Sequence, residues 1–138
     1  MGYRPSGGFM LGLTVHRKKS FEDTITDTTE ALKKEGFGVL TTIDVKNTLK
    51  EKIGVDFKRY TILGACNPGF AHKALQTADE IGLLLPCNVV VTEEKNGETK
   101  VSIFDPMTMT KLVQNPELEK IAKEVQEKLI QVIHHLHE

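Results

Sequence analysis

From Leu118 to Leu136 the apolar residues Leu118, Ile121, Ala122, Val125, Leu129, Val132, Ile133 and Leu136 recur at steps of three and four. Such spacing builds a long helix with one apolar stripe, and that stripe has to be covered. Asn115-Pro116-Glu117 supplies its start: a capping side chain, a proline in the first turn and an early acid on the helix dipole. The cover is either a sheet of the same chain or a second subunit. The stripe alone does not choose between them. With 138 residues there is room for one core and little for a second, so residues 1–138 are read as a single domain. Residues 1–8, with Gly and Pro, are expected to form a flexible N-terminus.

The rest of the chain offers strands and shorter helices. Phe9 to Arg17 reads as a strand, and Ser20, with Asp23 three residues on, opens a helix through Phe21, Ile25, Thr28 and Leu32 that Gly36 stops. Gly38 to Val45 favours a strand, Lys46 to Ile53 a short helix closed by Gly54, and Arg59 to Ala65 another strand. Asn67 and Pro68 then begin a third helix that carries Phe70, Ala71, Ala74, Leu75, Ala78 and Ile81 and ends near Gly82. Asn88 to Glu94 and Glu98 to Phe104 form a hairpin around Asn96-Gly97, a dipeptide suited to a tight turn with two positive φ angles. Asp105-Pro106 ends that hairpin, and a short helical piece follows through Met109, Leu112 and Val113. One hairpin and two strand–helix–strand crossovers predict an α+β fold. Its antiparallel-rich sheet has about five strands, with helices mainly on one face and a long C-terminal helix.

Composition excludes several functions. Hydrophobic residues make up 39% and charged residues 27%, so a folded core is expected. Net charge is −1 and aromatic content only 6%, without the basic face and stacking residues of a nucleic-acid binder. The apolar run from Phe9 to Val15 is too short to span a membrane, and its charges follow it, the wrong order for a signal peptide. A cytoplasmic protein with reduced thiols at Cys66 and Cys87 is the expectation, with no nucleic-acid or membrane partner.

The chemistry-bearing segment is Gly64-Ala65-Cys66-Asn67-Pro68-Gly69, which places a thiol where a strand ends and a helix begins. Backbone N–H groups at a helix start favour a thiolate, so Cys66 is a candidate nucleophile, redox sensor or metal ligand. A small buried residue finishing a strand is the plainer alternative. Cys87 starts the strand after Leu83-Leu84-Leu85-Pro86. It meets Cys66 if the two strands run antiparallel and not if they run parallel. His72, six residues after Cys66, would complete a set of three soft ligands (Cys66, His72, Cys87) for zinc or a similar metal, without any compact zinc signature. His134 and His137 share a helix face, yet histidines in a last turn suit the helix dipole in their own right. Asp44 and Asp105 end strands, where acids serve as general bases or simply make turns. No phosphate-binding glycine pattern, serine elbow or His-Glu-x-x-His occurs.

Ile62-Leu63-Gly64-Ala65-Cys66-Asn67-Pro68, then Ile81-Gly82-Leu83-Leu84-Leu85-Pro86-Cys87, Val89-Val90-Val91 and Asp105-Pro106 together resemble the family called domain of unknown function 302. Gly36-Phe37-Gly38-Val39-Leu40, Ile43-Asp44-Val45 and Asn115-Pro116-Glu117-Leu118 are similar to it too. The resemblance implies a TATA-binding-protein-like α+β fold and a homodimer, and supplies no activity, cofactor or catalytic residue. Its "Cys-Asn-Pro" and "Leu-Pro-Cys" motifs fall on Cys66, Asn67, Pro68, Pro86 and Cys87. The function expected is a binding module for a small ligand, a metal or an oxidant, centred on Cys66 with Asn67, Pro68 and Cys87. The alternatives are a thiol-dependent enzyme using Cys66, Cys87 and His72, or a dimeric scaffold joined through the C-terminal stripe.

Overall fold

The computed structural model describes residues 4–5 and 11–137. Its strands are β1 (Arg4–Pro5), β2 (Gly12–Arg17), β3 (Gly38–Asp44), β4 (Tyr60–Cys66), β5 (Cys87–Glu93) and β6 (Thr99–Phe104). They form one sheet in the order β1-β2-β6-β5-β4-β3, and every neighbouring pair is antiparallel. The helices are α1 (Phe21–Lys34), α2 (Val45–Ile53), α3 (Pro68–Thr77), α4 (Met109–Leu112) and α5 (Pro116–Leu136), with 3-10 turns at Asp79–Leu84 and Pro106–Thr108. The α+β class and the long last helix agree with the sequence. The flexible segment expected over residues 1–8 falls largely outside the described residues, although Arg4 and Pro5 pair with Thr14 and Leu13. Phe9 and Met10, expected in the first strand, also lie outside them.

Strand alternation decides which face is covered. Leu13, Val15, Leu63, Ala65, Val89, Val91, Val101 and Ile103 all point into one core and are almost wholly buried. Register aligns them across strands, with Val89 opposite Ile103 and Val91 opposite Val101. Leu32 of α1 and Leu129, Val132 and Ile133 of α5 close this layer and have no exposed surface. The C-terminal stripe is therefore covered by the sheet and helices of its own chain. The scaffold reading that placed a second subunit on it is corrected.

Three further expectations change. One crossover forms instead of two: α1 carries the chain from β2 to β3, which run parallel with three strands between them, whereas α2 and α3 each join neighbouring antiparallel strands. The third helix stops at Thr77 instead of running to Gly82. Ala78 turns to an extended backbone, and the following 3-10 turn drives Ile81 into a second cluster with Ala74, Met109 and Leu118. That burial overrides the helical periodicity. The hairpin turn also differs, since only Gly97 has a positive φ, at +85°. The Gly97 N–H donates to Glu94 O at 3.0 Å and the Glu94 N–H to Glu98 O at 2.8 Å, a three-residue loop with a glycine bulge. Asn96 works through its side chain, whose Oδ1 accepts from the Glu98 N–H at 3.0 Å.

The helix caps read from sequence are in place. Ser20 Oγ accepts from the Asp23 N–H at 3.1 Å, and Asn115 Oδ1 from Glu117 and Leu118 at 2.9 and 3.2 Å. By contrast α2 buries no residue, and Leu40 and Ile43 on β3 are exposed, so this end of the sheet is its open edge. No helix among the described residues is long and apolar enough to cross a membrane.

Candidate functional site

Antiparallel pairing settles the geometry of the two thiols. Cys66 is the last residue of β4 and Cys87 the first of β5, and Cys87 stands directly opposite Ala65. Both cysteines thus reach the same end of the sheet, and both are free thiols. Beyond Cys66 the chain turns at once into α3. Asn67 is its cap, with Oδ1 accepting from the Phe70 N–H at 3.3 Å, and Pro68 takes the first helical position. The strand–Cys–cap–Pro–helix order expected from sequence is what forms.

At this end lies a cavity of about 40 Å³. Its walls come from the strand ends (Ala65, Cys66, Cys87), from α3 (Phe70, Ala71, Ala74) and from α5 (Ile121, Ala122, Val125). Phe37, Leu85, Pro86, Met109 and Leu118 complete it, and Asn67 is the one polar side chain on the lining apart from the thiols. A space of this size holds about one methyl-sized group or a water or two, far below the several hundred Å³ of a drug-sized pocket. An apolar lining of this kind favours an apolar visitor over water.

The two sulfurs sit differently. Cys66 is half-buried and Cys87 buried. Burial pushes the Cys87 thiol up to about 11, with the neighbouring Cys66 adding to the rise. Cys87 therefore stays protonated at neutral pH.

Other candidates fall elsewhere. His72 is exposed on α3 and does not line the cavity, so the structure does not bring Cys66, His72 and Cys87 together. Among the described residues no group of three or more His, Cys, Asp or Glu side chains is placed to hold a metal ion. The sequence spacing could not show this, because six residues across a strand–helix junction leave the direction of His72 open. Asp44 caps α2, accepting from the Asn47 N–H at 2.9 Å. Asp105 accepts from the Met107 N–H and from Gln126 Nε2, both at 3.0 Å, and so ties the end of β6 to α5. Both acids have structural employment. His135 Nε2 lies 3.2 Å from Glu35 Oε2, linking the ends of α5 and α1.

Two glycines shape the site, and sequence reasoning did not assign them this part. Gly36 has a φ of +86°, and a Cβ there would come 2.9 Å from Asn67 Nδ2. A Cβ on Gly64 would meet Thr41 Oγ1 at 2.2 Å and Pro86 Cγ at 2.9 Å, closer than atoms pack. Gly64 thus lets Thr41 and Pro86 close over the strand just before Cys66. The walls given by Phe37, Met109 and α5 were also missed as site residues. Their only signal was ordinary core periodicity, which does not say what they surround.

An all-antiparallel sheet backed by α1 and α5, with a small thiol-lined cavity at one end, defines an α+β domain of a particular build. The model of the family described as domain of unknown function DUF302 matches residues 13–136, and the chain belongs to that family. It is similar to the crystal structure of the uncharacterized conserved protein DUF302 from Bacillus stearothermophilus, with 35% sequence identity and a TM-score of 0.86. That similarity covers 94% of this chain and 100% of the other. No curated protein matches the chain.

Proposed function

We propose that the chain is a small thiol-sensing binding module whose working thiol is Cys66. One observation carries this reading: Cys66 is half-buried on the wall of an apolar cavity that it shares with the buried Cys87. A neutral electrophile or oxidant with a small apolar group can seat that group in the cavity and present its reactive atom to Cys66. The buried Cys87 thiol, held protonated, leaves Cys66 as the sulfur that reacts first.

The binding reading is preferred to a thiol enzyme on chemical grounds. An enzyme needs a base beside its nucleophile, and among the described residues no histidine, lysine or carboxylate lines the cavity. Cys66 then works as a reporter of what enters.

The test compares two reagents on one sulfur. N-ethylmaleimide is neutral and compact, whereas a sulfonated maleimide of similar reactivity carries a charge that an apolar wall will not solvate. Native protein should favour the neutral reagent at Cys66 by about tenfold or more over the preference shown by the unfolded chain. Equal preferences in the folded and unfolded chain would sink the reading, since Cys66 would then be an ordinary surface thiol.

A further inference from the structure

We propose that Cys66 and Cys87 form a reversible disulfide, closed by a small organic hydroperoxide that enters the apolar cavity. This rests on the reading of Cys66 as the reactive thiol and names both the class of oxidant and the resolving partner. The geometry is that of neighbouring strands. Cys87 pairs with Ala65, so Cys66 is one residue along from its partner position. Antiparallel spacing puts the two Cα atoms about 6 Å apart, inside the range a disulfide spans.

Alternation along β4 directs successive side chains to opposite faces, so Cys66 must turn inward for the bond to form. Its position allows this. Cys66 is the terminal residue of β4 and pairs only with Gly38, the terminal residue of β3. Around Gly38 there is open space, since a Cβ built there meets nothing within 4 Å. Turning Cys66 therefore moves the backbone at the last rung of one ladder, beside the Asn67 cap of α3. Both sulfur-bearing residues already line the same cavity.

The chemistry balances with the hydroperoxide as the sole oxidant. The Cys66 thiolate attacks the terminal peroxide oxygen, the O–O bond breaks, and the alcohol leaves with a proton. Cys66 is left as the sulfenic acid. The Cys87 sulfur then attacks the Cys66 sulfur, the S–O bond breaks, water leaves, and the S–S bond forms. Two electrons pass from the pair of thiols to the peroxide. An external dithiol returns them and reopens the bridge.

Because burial holds Cys87 protonated, the second step is slow at neutral pH and quickens as pH rises. The experiment treats the protein with methyl hydroperoxide, whose one carbon fits the cavity, and reads intact mass and disulfide-linked peptides. The expected product is a monomer lighter by two hydrogens, with a Cys66–Cys87 peptide, restored by dithiothreitol. Cys87→Ala should instead stop at a Cys66 sulfenic acid that dimedone traps. The wild-type peptide map decides the matter even where that variant folds poorly. Wild type that gains oxygen on Cys66 with Cys87 still free overturns the disulfide and leaves the sensing reading standing, as does a bridge between two chains. A Cys66 that hydroperoxide never oxidises overturns both.

Discussion

Replacing Leu129 and Ile133 each with Asp should leave no cooperative unfolding transition at all. Both side chains are wholly buried between α5 and the sheet, in contact with the layer that includes Leu32, Val89 and Val101. Truncating one such residue costs about 2–5 kcal/mol in lost burial and cavity formation. An unpaired charge in the same place adds several kcal/mol more. A domain of this size is held by only about 5–15 kcal/mol, so the double variant exceeds what it can absorb. Leu40→Asp is the matched control, because Leu40 is 68% exposed on the edge strand and its replacement should leave the transition in place. Circular dichroism during a urea titration reads both variants. A folded double variant that elutes as a smaller species would mean that the α5 stripe is a subunit surface after all.

The second large effect is a loss of stability in alkali. In the folded chain burial raises the Cys87 thiol from 9.0 to about 11, with Cys66 contributing the lesser part. Between those values the unfolded chain has released the proton while the folded chain still holds it. Unfolding therefore releases a proton, and stability falls as pH rises. The full contribution is present below pH 9.0 and is lost as pH climbs to about 11, a change of about 2–3 kcal/mol. The useful quantity is a difference, because it isolates this one thiol. Wild type and Cys87→Ala are unfolded in urea at a series of pH values, and their stability gap should narrow by that amount from pH 9 to pH 11. A gap that stays constant would show that the thiol ionises alike in both states.

What could be read from the chain before folding divides along physical lines. Local rules succeeded where a side chain or a backbone need is settled within a few residues. Ser20, Asn67 and Asn115 cap their helices, and Gly54 closes α2 in a left-handed conformation with a φ of +67°. The α5 stripe was legible because eight apolar residues at helical spacing have no other use. Failures came where distant parts of the chain decide. The break at Ala78 follows from burying Ile81 beside Met109 and Leu118, residues that local periodicity around α3 cannot see. The turn at Asn96-Gly97 follows the register that fixes Glu93 opposite Thr99, and a two-residue loop does not fit it.

The candidate site was half legible. Sequence located Cys66 at a strand–helix junction and stated the condition for meeting Cys87, namely antiparallel strands. Only the register of Ala65 on Cys87 fulfils that condition. His72 had the right chemistry and the wrong place, being exposed on α3. The cavity itself could not be read, because its floor is made by Ile121, Ala122 and Val125 more than fifty residues along. Gly64 illustrates the same limit. Its role depends on Thr41 coming close from the middle of β3 and Pro86 from just before β5, and nothing adjacent in the chain announces it.

The most direct measurement is a count of thiols that react per native chain with neutral N-ethylmaleimide, read by intact mass and followed by peptide mapping. A single equivalent should react in native buffer and map to Cys66, and the second should appear only in guanidinium and map to Cys87. Two sulfurs silent until denaturation, or Cys87 reacting first, would contradict the site.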